Sequence, residues 1–151
     1  MAVALLLVDV QQDFFSRPGL TPPPIQVIHN LRSLLERCRS ASIPVIHVRT
    51  RISSDGHDRM PHWRENDTWE CLEGSSGYEA PESLEASSGE SVIHKSFFSG
   101  FSGTGLQTQL DGQQITDLII CGLYTHGCIR ETVLDAYQRG YRVWVAEDAI
   151  A

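Results

Sequence analysis

The chain has no apolar run approaching the roughly 20 residues that a bilayer-spanning helix needs, so no membrane span is expected. It has no excess of basic residues either. Twelve Lys and Arg stand against nineteen Asp and Glu, a net charge of -7. An acidic surface of that size argues against nucleic acid or an anionic membrane as the main partner, because both are bound through positive charge. Paired CxxC spacing is missing. The four cysteines, Cys38, Cys71, Cys121 and Cys128, match neither a zinc pattern nor a dense disulfide framework, and a reducing, cytoplasmic setting is the expectation. There is no internal repeat and no low-complexity tract. The run from Ala2 to Val8 is apolar, but no basic segment precedes it and Asp9 interrupts it early, so it does not read as a secretion signal. What remains is a chain of 151 residues, read as one domain over residues 1–151 with enough length for a real core.

Residues 3–8 form a continuous Val- and Leu-rich run, as expected of a strand buried on both faces. A Pro- and Gly-rich loop follows. Residues 25–40 carry Ile28, Leu31, Leu34, Leu35 and Cys38 at a helical period. Strands are expected at 44–48, 91–94, 117–122 and 142–146, a helical turn at 106–110 and a helix at 129–139. Residues 49–90 are irregular, and a long loop inside a compact domain is often a lid or a binding loop. Apolar strands alternating with helices imply an α/β fold, a three-layer α/β/α sandwich around a doubly wound parallel sheet. Ligands of such sheets sit beyond the carboxyl ends of the strands, where the strand order reverses. Asp9, Lys95 and Cys128 each fall at or just after the end of a different strand.

Cys128 carries the sharpest chemical signal. It lies after the apolar strand and the Gly-containing turn Gly122-Leu123-Tyr124-Thr125-His126-Gly127, at the start of a helix. The positive end of the helix dipole and nearby backbone N–H groups favour the thiolate, the nucleophilic form, so a depressed thiol pKa is expected. The same N–H groups can hold an oxyanion formed by attack on a carbonyl. The plain alternative is a small apolar residue capping a helix. Cys38 and Cys121 read as inert core thiols.

Three segments together resemble the isochorismatase-like cysteine hydrolases. Asp9-Val10-Gln11-Gln12-Asp13-Phe14 is similar to their D-x-Q-x-D-F opening. Gly74-Ser75-Ser76-Gly77-Tyr78-Glu79, with Val92-Ile93-His94-Lys95 and Ser99-Gly100-Phe101, resembles their middle. Gly122 to Thr132, followed by Asp135-Ala136, resembles their nucleophile turn and helix. The resemblance implies an Asp9, Lys95 and Cys128 triad: the carboxylate as base toward the thiol and later as proton donor, the lysine holding both. It implies a cis peptide at Leu123-Tyr124 that turns backbone N–H groups of Tyr124 and Cys128 toward an oxyanion. Phe14, Tyr124 and Thr125 become the substrate contacts. The expected activity is hydrolysis of a small amide or carbamoyl C–N bond through a thioester, with a small-molecule substrate and no cofactor.

Other readings compete. Nicotinamidases of the family hold a divalent metal with a D-x-H and a later His. Here Asp55-Gly56-His57, with His62 and His94, sits beyond the strand end, where Arg49-Thr50-Arg51 stands, so no metal is expected. Arg49 and Arg51 are expected to face solvent, and His126 reads as a turn histidine. Trp63, Trp69, Phe98 and Phe101 read as pocket walls or as core. True isochorismatases cleave a vinyl ether without needing a thiol, and a non-catalytic assembly partner is the non-enzymatic reading. The family domain usually continues past the position of Ala151 with another helix and strand. A sheet ending at 143–146 leaves an exposed edge, and a homo-oligomer is the expected consequence.

Overall fold

A computed structural model describes residues 2–151. The strands are β1 (Val3–Val8), β2 (Val45–Thr50), β3 (Ser91–Lys95), β4 (Asp117–Gly122) and β5 (Arg142–Ile150). The helices are α1 (Gln12–Phe15), α2 (Pro24–Ser40), α3 (Pro61–Glu65), α4 (Leu106–Gly112) and α5 (Arg130–Gln138), with a π turn at Thr125–Ile129 leading into α5. The strands form one parallel sheet in the order β3-β2-β1-β4-β5.

Alternation along β1 explains the layers. Leu5 and Leu7 point into one core with Val27, Leu31, Leu35 and Cys38 of α2. Ala4, Leu6 and Val8 point into the other, with Leu106 and Leu110 of α4 and Ala136 of α5. Because both faces of the central strand are covered, its run reads as uninterruptedly apolar rather than alternating. Helix α2 begins with Pro24 in its first turn and ends with Arg37 and Arg39 in its last. Proline's missing N–H costs nothing at the first position, and the cations meet the negative end of the dipole.

Strand order reverses between β1 and β4, so a crevice is expected at their carboxyl ends. That corner is tightly built. Gly122 has φ +117°, and a Cβ there would lie 2.0 Å from the Val8 carbonyl oxygen, which already accepts the Leu123 N–H at 2.9 Å. Gly122→Ala is therefore expected to cost about 3 kcal/mol, from both the backbone conformation and the clash with the main chain. A urea denaturation midpoint unchanged from wild type would refute this.

The last strand runs further than residues 142–146. A register shift falls between Ile120 and Gly122, after which Gly122 pairs with Ile150, and Ala149 is fully buried. The apolar run is broken by Glu147 and Asp148, both exposed, which hid the continuation. Strand β5 is one edge of the sheet, and its Trp144 and Val145 are exposed.

Candidate active site

The three strand ends meet. Lys95 Nζ lies 2.8 Å from Asp9 Oδ2 and 3.3 Å from Cys128 Sγ. It also reaches Thr50 Oγ1 at 3.0 Å and the Phe97 carbonyl at 2.9 Å. An ammonium has three N–H donors, so four acceptors mean that at least one bond is shared. The other carboxylate oxygen, Asp9 Oδ1, accepts from the Thr50 N–H at 3.0 Å and the Thr50 hydroxyl at 2.8 Å. Both side chains of the ion pair are cut off from solvent, which makes the closed hydrogen-bond set necessary: a buried charge without partners is very costly.

Thr50 and Gln11 complete this set. Gln11 donates to the Thr50 carbonyl at 2.8 Å and the Tyr78 carbonyl at 3.0 Å, and accepts the Thr50 N–H at 2.9 Å. It thereby ties the end of β2 to the segment after β1. Gln11 stood in the quoted opening motif without a role. Thr50 had no sequence signal beyond its place at the end of a strand.

The electrostatics differ from the expected depressed thiol. Burial pushes the Cys128 thiol up, Asp9 adds to the rise, and Lys95 opposes it without winning. The helix start is not the clean N-terminus assumed from the sequence, since Cys128 lies inside the π turn. For Lys95, burial pulls downward, but Asp9 and then Cys128 outweigh it and the ammonium is held above its ordinary range. The resting arrangement is thus an ion pair beside a thiol that burial and Asp9 push toward its protonated form.

The Leu123-Tyr124 peptide is cis. The Tyr124 N–H takes part in no backbone hydrogen bond among the described residues. A cavity of about 310 Å³ opens on Cys128 and Thr50, walled by Phe14, Met60, Trp63, Phe98 and Tyr124. Phe14 meets Tyr124 edge-on at 5.5 Å, and the Tyr124 hydroxyl donates to the Phe14 carbonyl at 2.6 Å. His126, Arg17 and Glu131 also line this space; the last two carried no sequence signal.

Several expectations are corrected. Thr125 does not line the cavity at Cys128; it is exposed and faces a neighbouring depression with Arg17 and Leu20, because its N–H is drawn to the Ala151 carbonyl at 2.7 Å. Arg49 does not face solvent. It is buried, with its guanidinium 2.7 Å from Glu85, 3.9 Å from Glu79 and over the Tyr78 ring. Arg51 is exposed, as expected, near Glu73. Trp63 and Phe98 are walls, whereas Phe101 lies in the opposite core and Trp69 sits outside under Arg59. Asp55 and His57 pair with each other on an exposed loop, His94 bonds the Tyr78 hydroxyl, and His62 stacks on Phe98. No group of three or more His, Cys, Asp or Glu side chains converges as a metal site among the described residues.

A buried carboxylate, lysine and cysteine at the switch point of a parallel sheet define the class, and comparison with known proteins agrees. The isochorismatase domain model matches residues 3–151, and the chain belongs to that family. It is 32% identical to a streptothricin hydrolase of Streptomyces noursei over 98% of this chain and 49% of that protein. It is 33% identical to an uncharacterized isochorismatase family protein of Bacillus subtilis, over 100% and 78% of the two chains. The crystal structure of N-carbamoylsarcosine amidase from Thermoplasma acidophilum superposes with a TM-score of 0.87 at 30% identity, over 100% of this chain and 84% of the other. The chain therefore spans about half the length of the streptothricin hydrolase that it matches. Among the described residues, no helix is long and apolar enough to cross a membrane.

Proposed function

We propose that this chain hydrolyses a small amide or carbamoyl C–N bond through a thioester on Cys128. The observation that carries the reading is the contact of one buried ammonium with both Asp9 and Cys128, the latter opening onto a cavity of about 310 Å³. That relatives are named as an amidase and a hydrolase supports it.

In the proposed path Asp9 takes the Cys128 proton as the sulfur attacks the carbonyl carbon. A thiol held toward its protonated form suits this path, because a positioned carboxylate supplies the activation only when substrate arrives. The oxyanion is met by the backbone N–H groups of Tyr124 and Cys128, fixed donors of the kind that stabilise such charge. Collapse breaks the C–N bond, and Asp9 returns the proton to the departing amine. Water enters, loses a proton to Asp9 and attacks the thioester. The second collapse releases the acid, and the sulfur regains its proton. Lys95 stays charged throughout, holding the carboxylate and the sulfur at a fixed separation. No step calls on a metal or an organic cofactor.

The test is direct capture of the intermediate. Wild type mixed with small primary amides and quenched in acid should show, by intact mass, an acyl adduct on the peptide containing Cys128. Turnover of an amide with no adduct under rapid quench, and with full activity after thiol blocking, would remove the thioester from the reading. In that case a thiol-independent vinyl ether substrate becomes the one to assay.

A further inference from the structure

The charges lining the cavity do not balance. Lys95, which lies behind Cys128 and Thr50 and does not itself line the cavity, is matched by Asp9. Arg17 is matched by Glu70 through a two-pronged contact, its Nε donating to Oε1 at 3.0 Å and its second nitrogen pairing with Oε2. Its guanidinium also lies over the rings of Phe14 and Tyr124, at 5.3 and 5.2 Å. Glu131 has no such partner. It lines the cavity half-buried, three residues after Cys128. One turn further, Asp135 is held by Arg139 at 2.8 Å and by Ser99, whereas Glu131 makes no ion pair or side-chain hydrogen bond among the described residues.

We infer that the cavity selects amides bearing a positive charge on an aromatic or apolar body, and that Glu131 is the residue that sets this preference. The inference rests on the amide reading above. Two features of the lining favour a cation. The free carboxylate offers a charge partner in a partly desolvated place, where screening is weaker than at an open surface. The walls include the rings of Phe14, Trp63, Phe98 and Tyr124, aromatic groups that attract cations through the ring quadrupole, as the Arg17 guanidinium over Phe14 and Tyr124 already does. An anionic substrate meets the opposite situation. The one cation on the lining, Arg17, is already taken up by Glu70, while Glu131 repels.

Three ring-matched probes separate charge from shape: pyridine-3-carboxamide, its N-methylpyridinium analogue and 3-carbamoylbenzoate. For wild type, kcat/KM should fall in the order cation, neutral, anion, with steps of about five- to tenfold. Glu131→Gln should cut the cation-to-neutral ratio about fivefold, and Glu131→Lys should favour the anion. The wild-type preference should also shrink as salt rises. Calorimetric binding of the same probes to the Cys128→Ser variant reads the order without turnover. If no amide is hydrolysed but the binding order holds, the hydrolase reading fails and the charge preference stands. If amides are hydrolysed with the anion preferred, or Glu131→Gln leaves the ratio intact, the charge preference is overturned and the hydrolase reading survives. Absence of binding by all three probes also overturns it.

Discussion

Replacing Cys128 with serine is expected to lower amide hydrolysis about 10⁴-fold or more, since removal of a nucleophile disables a whole catalytic unit. The fold should survive. Serine fits the same volume, and its oxygen can accept the Lys95 hydrogen bond now given to sulfur at 3.3 Å. What is lost is a group that a carboxylate can deprotonate, because an alkoxide is far harder to form than a thiolate. Initial rates read beside urea denaturation separate chemistry from folding, and turnover within tenfold of wild type would end the nucleophile assignment. The free enzyme makes a second demand on the same residue. Burial and Asp9 hold the thiol above its ordinary value, so the thiolate is scarce at neutral pH. Iodoacetamide should therefore label Cys128 slowly near pH 7 and faster as pH rises. Rapid labelling with a pH-independent rate across neutrality would show a preformed thiolate instead.

How much of this was legible in the sequence follows from how local each determinant is. The central strands were readable because burial on both faces leaves an unbroken apolar run, as in Ala4 to Val8. The turn that carries Cys128 was readable because one continuous segment holds Gly122, the cis peptide and Cys128. Determinants that depend on a distant partner were not. Arg49 looks like a surface arginine until Glu85, 36 residues later, folds onto it at 2.7 Å. Arg17 is ordinary until Glu70 and two aromatic rings enclose it. Thr50 acts only because parallel pairing sets it opposite Lys95. Periodicity also failed where pairing slipped: β5 resumes at Ala149 after two exposed acids, and nothing in the run announces it. The thiol's direction of shift was misread for a related reason. A helix start suggests a favoured anion, but the depth at which the sulfur is buried depends on the assembled cavity.

The largest expected effect on stability comes from separating Asp9 and Lys95. Both side chains are removed from water and bonded at 2.8 Å. Taking away one partner leaves the other charged and buried, a loss of roughly 3–5 kcal/mol in comparable pairs. Lys95→Met and Asp9→Asn should each fall in that range. The double variant Asp9→Asn, Lys95→Met removes both charges at once and should recover most of the loss, because an unpaired buried charge costs more than a neutral pair. Activity should behave oppositely: all three variants should be nearly inactive, with the double little worse than either single, as residues of one catalytic unit are not additive. The pH dependence fixes the sign. The Lys95 ammonium is raised above its unfolded value, so its contribution is fully present below that unfolded value and is lost as pH rises through the folded one. Wild type should therefore lose this contribution on the basic side, and the double variant should lack that loss. Stability from urea denaturation at several pH values, measured for the four proteins, completes the cycle. A double variant as unstable as the sum of the singles would mean that the pair is not coupled. An inactive double variant more stable than wild type would mean that this buried ion pair is kept for the chemistry at Cys128, at a net cost to the fold.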